Sequence, residues 1–312
     1  MLLRNLPLLL VLASGCTDHE PDFYAFESNP SAGKGSKLLI LFSDSPADAD
    51  HIFVTISRVE AERADTGEFI ALSDDVREFD LLELQNGNTA VLVDDEFPPG
   101  RYRAIRLTLL DQARLVFRDA EHALDLPRAL TLPHFFDLDD QPTELIVDWN
   151  ARTSIVRVGR TDGYAMHPQL TVVSAAESGS ISGRVAGTDG TRVIVSAQQH
   201  GREVLSTIAE TNGRYVLDPL RAGAYTLVVT ASGFEYEVER GVAVAAEHVT
   251  PDRDFTLEPA AAGRVAGRAP PGTIVELRGD GHFLASTGVD PVTGEYVFDD
   301  FPAGDYDIVV RD

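Results

Sequence analysis

Grouped carboxylates and a single thiol are the side chains whose types and spacing could do chemistry. Asp44, Asp48 and Asp50 fall within one turn after an apolar run; Asp94, Asp95 and Glu96, then Asp137, Asp139 and Asp140, form similar groups. Hard oxygens gathered this way suit Ca²⁺, which takes six to eight of them. None of the groups follows the EF-hand order, because Asp48-Ala49-Asp50 lacks the loop glycine and the closing glutamate. With 50 acidic against 26 basic residues the net charge is −24, so solvated loop carboxylates are favoured over a metal site. Asp44, Asp48 and Asp50 stand as the calcium candidates, and no other cofactor is implied. Cys16 is the only cysteine, which leaves no disulfide and no thiolate metal centre.

Enzyme signatures fail one by one. His-Glu-x-x-His does not occur, and the eight histidines stand singly. Gly179-Ser180-Ile181-Ser182-Gly183 has the glycine spacing of a hydrolase elbow but isoleucine at the nucleophile position. Gly33-Lys34-Gly35 lacks the later glycines and the preceding strand of a phosphate loop. No catalytic residue is assigned, and the chain reads as a non-enzyme. The strong negative charge also excludes nucleic acid and adsorption to anionic lipid headgroups.

Binding then falls to exposed aromatic rings, on which sugars stack. Phe135-Phe136 and Phe234 with Tyr236 sit near loops and are contact candidates, although core packing is the commoner use of such rings. Trp149, the single tryptophan, lies in the apolar run Leu145-Ile146-Val147-Asp148-Trp149 and belongs to a core.

The elements that carry these residues are strands. Ile52, Val54 and Ile56 alternate with polar residues at the period of a half-buried strand. Similar runs at 37–43, 69–72, 89–93, 101–110, 115–117, 144–149, 154–158 and 169–173 are separated by Asp-, Gly- and Pro-containing turns, as an all-β sandwich requires. A short helical turn is expected over Arg77–Leu84, and a short linker at Ala175–Gly179.

Three phrases recur: Pro98-Pro99-Gly100-Arg101-Tyr102, Arg221-Ala222-Gly223-Ala224-Tyr225 and Pro302-Ala303-Gly304-Asp305-Tyr306. Each reads as a tight turn at glycine (Gly100, Gly223, Gly304), followed by a tyrosine (Tyr102, Tyr225, Tyr306) that opens a strand and buries its ring. The last two copies stand about 80 residues apart, a domain length and not a solenoid repeat. Tyr225, Leu227 and Val229, and likewise Tyr306, Ile308 and Val310, are expected to face a core.

The N-terminus has the layout of an export signal: Arg4, an apolar core from Leu6 to Ala13, then small residues before Cys16. That core is far shorter than the ~18 residues of a membrane span. Ala13-Ser14-Gly15-Cys16 resembles the bacterial lipobox, which implies lipidation of Cys16 as the first mature residue, with Ala13 in the place usually held by leucine. Thr17 is not the aspartate that retains lipoproteins in the inner membrane of enteric-like bacteria, and this resemblance implies the outer membrane, on its periplasmic or surface face.

Two further resemblances fill the rest. Gly183-Arg184-Val185, Gly213-Arg214-Tyr215-Val216-Leu217 and Leu220–Leu227 resemble the carboxypeptidase regulatory-like family, which implies a transthyretin-like sandwich without catalysis. Residues 262–312 resemble it too, without the last strands. Leu41-Phe42-Ser43-Asp44-Ser45-Pro46-Ala47-Asp48, Phe97–Tyr102, Val147-Asp148-Trp149-Asn150-Ala151, Ser154-Ile155-Val156, Tyr164 and Pro168 resemble the lipoprotein family called domain of unknown function 4382. The expected plan is a signal peptide (1–15), a tether (16–35), a first sandwich (36–175), a regulatory-like sandwich (179–258) and a shortened copy (262–312). The expected role is a lipid-anchored envelope protein that binds a surface polysaccharide or protein, with a structural spacer as the alternative.

Overall fold

The computed structural model describes residues 35–47, 49–158, 163–188 and 190–311. The signal segment, Cys16, nearly all of the tether and Asp48 lie outside the described residues.

The protein is all-β, a series of sandwiches. The first is built from β1 (Ser36–Ser45), β2 (His51–Arg63), β3 (Phe69–Ser73), β4 (Arg77–Asp80), β5 (Ala90–Phe97), β6 (Gly100–Leu109), β7 (Arg114–Phe117), β8 (Ala120–Ala123), β9 (Ala129–Leu138) and β10 (Thr143–Asn150). It is completed by β11 (Ile155–Val158), β12 (Gly163–Met166) and β13 (Leu170–Ser174). One sheet runs β13-β10-β1-β5; the other runs β8-β7-β2-β6-β9, with β3 and β4 also on β2. Alternation drives the assembly: Leu38, Ile40 and Phe42 of β1 and Ile52, Val54 and Ile56 of β2 turn their apolar sides inward and are buried. Trp149 is buried as expected and meets Phe42 edge-on, which in turn meets Phe79.

The second sandwich comprises β14 (Ser178–Ala186), β15 (Val193–Gln199), β16 (Arg202–Ile208), β17 (Arg214–Arg221), β18 (Gly223–Ala231), β19 (Glu237–Val244), β20 (Val249–Thr250) and β21 (Phe255–Thr256). Its sheets are β17-β14-β20, with β21 also on β14, and β16-β15-β18-β19. Tyr225, Leu227 and Val229 of β18 face its core.

The third unit has β22 (Ala262–Arg268), β23 (Ile274–Gly279), β24 (His282–Gly288), β25 (Glu295–Pro302) and β26 (Asp307–Arg311). Among the described residues β22 pairs only with β25, and the other sheet runs β12-β11-β24-β23-β26. The hairpin β11–β12 of the first unit thus joins the third through a parallel contact of Val158 with Gly288. The third unit leans on both its predecessors.

Several expectations are corrected. Arg77–Asp80 is a strand on β2, which drops Phe79 into the core, and only Leu81–Glu83 makes a 3-10 turn, capped by Asp80. Ala175–Glu177 is a second 3-10 turn, and Ser178 and Gly179 already belong to β14, so no free linker exists there. A Cβ on Gly179 would stand 2.2 Å from the Ala245 carbonyl, so that strand is clamped by its neighbour. Phe135 and Phe136 lie in β9, not in a loop: Phe136 is buried against Tyr102, and Phe135 is exposed beneath Arg101. Ile308 and Val310 were expected in a core but are 37% and 44% exposed, on a strand that ends its sheet among the described residues.

Candidate ligand pocket at the module junction

A cavity of about 410 Å³ lies where the three units meet. The first unit contributes Phe117 from the end of β7, Arg152 from a single helical turn (Ala151–Ser154), and Tyr164 from β12. The second contributes Arg192 ahead of β15, with Phe234 and Tyr236 on the approach to β19. The third adds Phe283 from β24, and Asp299, Asp300 and Phe301 from β25. Hydroxyls of Thr230, Ser232 and Ser286 complete the lining.

The arginines build the walls. Arg152 is buried, ion-pairs with the fully buried Glu203 and donates from Nη2 to the Leu284 carbonyl at 2.5 Å, so one side chain ties all three units. Its guanidinium carbon stands 5.1 Å from the centre of the Phe283 ring. Burial pulls the Arg152 pKa down to about 10, still charged at neutral pH. Arg192 donates to the carbonyls of Ala47 (2.8 Å) and Ala49 (3.3 Å), across the boundary between the first two units. Gly279 sets the position of Tyr236, since a Cβ there would stand 2.5 Å from the phenol oxygen.

Flat ring faces, hydroxyls, carboxylates and charged rims are the groups that a molecule entering this cavity would meet. A wider cleft of about 720 Å³ separates β4 and its following turn from β14 and β15. Its polar groups are already engaged: His51 Nδ1 lies 2.5 Å from Asp80 Oδ2, and Asp80 Oδ1 accepts from the amides of Ile52 and Leu82. The bond to Asp80 raises the His51 pKa above its ordinary value.

Of the contact residues expected from sequence, Phe234 and Tyr236 reach the junction pocket, and Phe135 and Phe136 do not. Arg152, Arg192, Phe117, Phe283 and Phe301 carried no sequence signal, and Tyr164 stood out only within the first-unit resemblance, because these residues converge only through packing between units.

The calcium candidates are placed apart in role. Asp44 is buried at the end of β1, where its Oδ1 accepts from the Ala151 amide at 3.2 Å and its Oδ2 has no partner among the described residues. Asp50 is exposed and accepts from the Arg118 amide at 2.6 Å. Among the described residues no three His, Cys, Asp or Glu side chains gather as a metal site.

The parallel pairing of β1 with β10 sets Ser43 opposite Asp148, Asp44 opposite Trp149 and Ser45 opposite Asn150. Ser43 Oγ donates to Asp148 at 3.0 Å, and Ser45 Oγ accepts from the Ser206 amide of the second unit at 3.1 Å. This buried polar seam joins two of the phrases that carried the first-unit resemblance, Leu41–Asp48 and Val147–Ala151.

The repeated tyrosines share one bond. Tyr102, Tyr225 and Tyr306 each donate to the carbonyl four residues earlier, on Pro98, Arg221 and Pro302, at 2.8, 2.8 and 2.7 Å. The glycines differ from expectation. Gly100 alone has a positive φ (+141°), whereas Gly223 and Gly304 sit in conformations open to any residue.

Residues 35–168 match the family described as Domain of unknown function (DUF4382), and residues 180–258 match the Carboxypeptidase regulatory-like domain, in the order the resemblances implied. No curated protein matches the chain. Among solved structures, the chain is similar to a cohesin–X-dockerin complex from Acetivibrio cellulolyticus (16% identity, 26% of this chain and 58% of that one, TM-score 0.21). It is also similar to the TIE protein of Bacillus anthracis (12% identity, 85% and 46%, TM-score 0.22) and to a streptococcal ancillary pilin (10% identity, 88% and 89%, TM-score 0.20). The chain spans about half the length of the first two, and likenesses this distant assign no role.

Proposed function

We propose that this chain is a non-enzymatic, lipid-anchored protein of the cell envelope whose sandwiches present the junction pocket to a surface polysaccharide or a protein partner. The observation that carries this reading is the convergence of six aromatic rings from three units on one cavity. Phe117 and Tyr164 border the first core, Phe234 the second and Phe301 the third, and the rings line the cavity next to hydroxyls and carboxylates that can fix the orientation of a polar ligand. The membrane attachment rests on Cys16 and the export signal before it. Among the described residues no helix is long and apolar enough to cross a membrane. The outer membrane is the proposed site, because Thr17 follows the cysteine.

Glycan-array and pulldown binding by the purified chain tests the pocket. Binding is expected, and the double substitution Phe234→Ala with Tyr236→Ala removes it; because Phe234 also packs against the second core, a thermal melt of the variant is read beside the binding to tell a lost contact from a lost fold. A chain that binds nothing above background is a spacer. Labelled palmitate incorporated at Cys16, and lost in Cys16→Ser, tests the anchor. Protease shaving of whole cells tells the surface from the periplasmic face.

A further inference from the structure

Most of the charged groups around the junction cavity are already engaged within the protein. Arg152 is held by Glu203 and the Leu284 carbonyl, and Arg192 by the carbonyls of Ala47 and Ala49. Arg157 is engaged as well, and Asp299 pairs with Arg264 at 2.6 Å. Five polar groups of the lining have no partner among the described residues: the hydroxyls of Thr230, Ser232, Ser286 and Tyr236, and the carboxylate of Asp300.

A bulge puts Asp300 there. β25 slips by one residue against β22, since Asp299 lies opposite Arg264 while Phe301 lies opposite the adjacent Gly263. Asp300 is the extra residue, with φ +66°, a backbone conformation in which aspartate and asparagine are over-represented among non-glycine residues. Two consecutive residues, Asp299 and Asp300, thereby border one cavity, where a regular strand would send alternate side chains to opposite faces.

Ligand classes meet these groups differently. A carboxylate or phosphate finds the guanidinium groups occupied, and freeing Arg152 would leave Glu203 buried and unpaired. An ammonium enters among three guanidinium groups with one unspent carboxylate to meet it. An uncharged sugar finds four hydroxyls that donate and accept, a carboxylate that accepts from neighbouring sugar hydroxyls, and ring faces to stack on. The volume of about 410 Å³ lies in the range of small-ligand sites.

We propose, on the reading of this cavity as a binding site, that its ligand is an uncharged glycan and that uronate-, sialate- and phosphate-bearing chains are turned away. Asp300 sets the preference, because it accepts hydroxyls of a neutral sugar and repels an acidic one.

The test presents the purified chain to an array of uncharged glycans beside uronate-, sialate- and phosphate-bearing ones, at about 0.05 and 0.5 M salt. Hits are expected on uncharged chains alone, with signals that do not change with salt. Asp300→Asn keeps a residue that accepts the left-handed backbone and is expected to weaken those hits about tenfold. Ser232→Ala, in an exposed turn, is expected to weaken them about threefold. Hits on acidic chains, or signals that fall as salt rises, overturn the proposal but leave the cavity a site for a charged ligand. Equal binding by both variants overturns it by placing the glycan elsewhere. A blank array overturns it too: a protein pulldown abolished by Phe234→Ala with Tyr236→Ala then keeps the cavity as a binding site, and without such a pulldown the wider reading falls with it.

Discussion

Gln198 holds both backbone polar atoms of Phe283: its Nε2 donates to the carbonyl at 2.6 Å, and its Oε1 accepts from the amide at 3.0 Å. The glutamine is on β15 of the second unit and 1% exposed, and the phenylalanine opens β24 of the third. One side chain thereby does for β24 what a neighbouring strand would do. Replacement by leucine fills similar space but leaves a buried N–H and C=O without partners. Gln198→Leu is expected to cost about 2–5 kcal/mol and to loosen the third unit first. Limited proteolysis near Glu258–Ala261, before global melting, checks the order of events.

The buried pair of Arg152 and Glu203 gives a sharper contrast. Both side chains are nearly or fully enclosed, so the remaining charge has no water to turn to when its partner is removed. Arg152→Met is expected to destabilise by about 3–5 kcal/mol. Adding Glu203→Met should recover most of the loss, since two apolar side chains of similar length restore packing. Urea unfolding of the single and double variants measures both, and a double variant as unstable as the single one refutes the account.

The Gly-x-Tyr corners separate hydroxyl from glycine. Tyr102→Phe and Tyr225→Phe each remove one buried hydrogen bond and are expected to cost about 1 kcal/mol, with the two effects adding because the rings sit in separate cores. Tyr306→Phe costs less, since water can replace the bond at its half-exposed ring. Gly100→Ala is expected to destabilise by about 1 kcal/mol or more, because φ there is +141°. Gly304→Ala should be nearly neutral, as a Cβ would meet only the Tyr306 ring at 3.6 Å. Thermal melts of the set order these effects.

Much of the fold was legible because a strand advertises its period: Ile52, Val54 and Ile56 name their own buried face. The tyrosine bonds were half legible, since the sequence showed a hydroxyl in need of a partner but not which carbonyl lay four residues back. Ile308 and Val310 mark the limit. Alternation reports which side of a sheet a residue takes, and whether another layer covers that side depends on strands elsewhere. The pocket lay further out of reach, because Phe117, Arg192 and Phe283 become neighbours only after three units dock. Sheet β12-β11-β24-β23-β26 crosses two of them without any local signal.

The seam between β1 and β10 predicts a pH dependence of stability. Asp148 is 2% exposed, and burial raises its pKa to about 7 against an ordinary 3.8. Asp44 is raised as well, by burial and then by the charge of Asp148. A carboxyl whose folded pKa lies above its unfolded one keeps its proton in the fold at pH values where the unfolded chain has released it. Between about pH 4 and 7 the folded state therefore binds more protons, and stability falls as pH rises across that window. For Asp148 alone the loss is on the order of 4 kcal/mol over the window. Asp148→Asn keeps an oxygen to accept from Ser43 and removes the titration. Its melting temperature relative to the parent is expected to climb steadily from pH 5 to pH 7.5 and then level off. A difference that stays constant across that range would mean that Asp148 is ionised in the fold, with a cation or water reaching the seam.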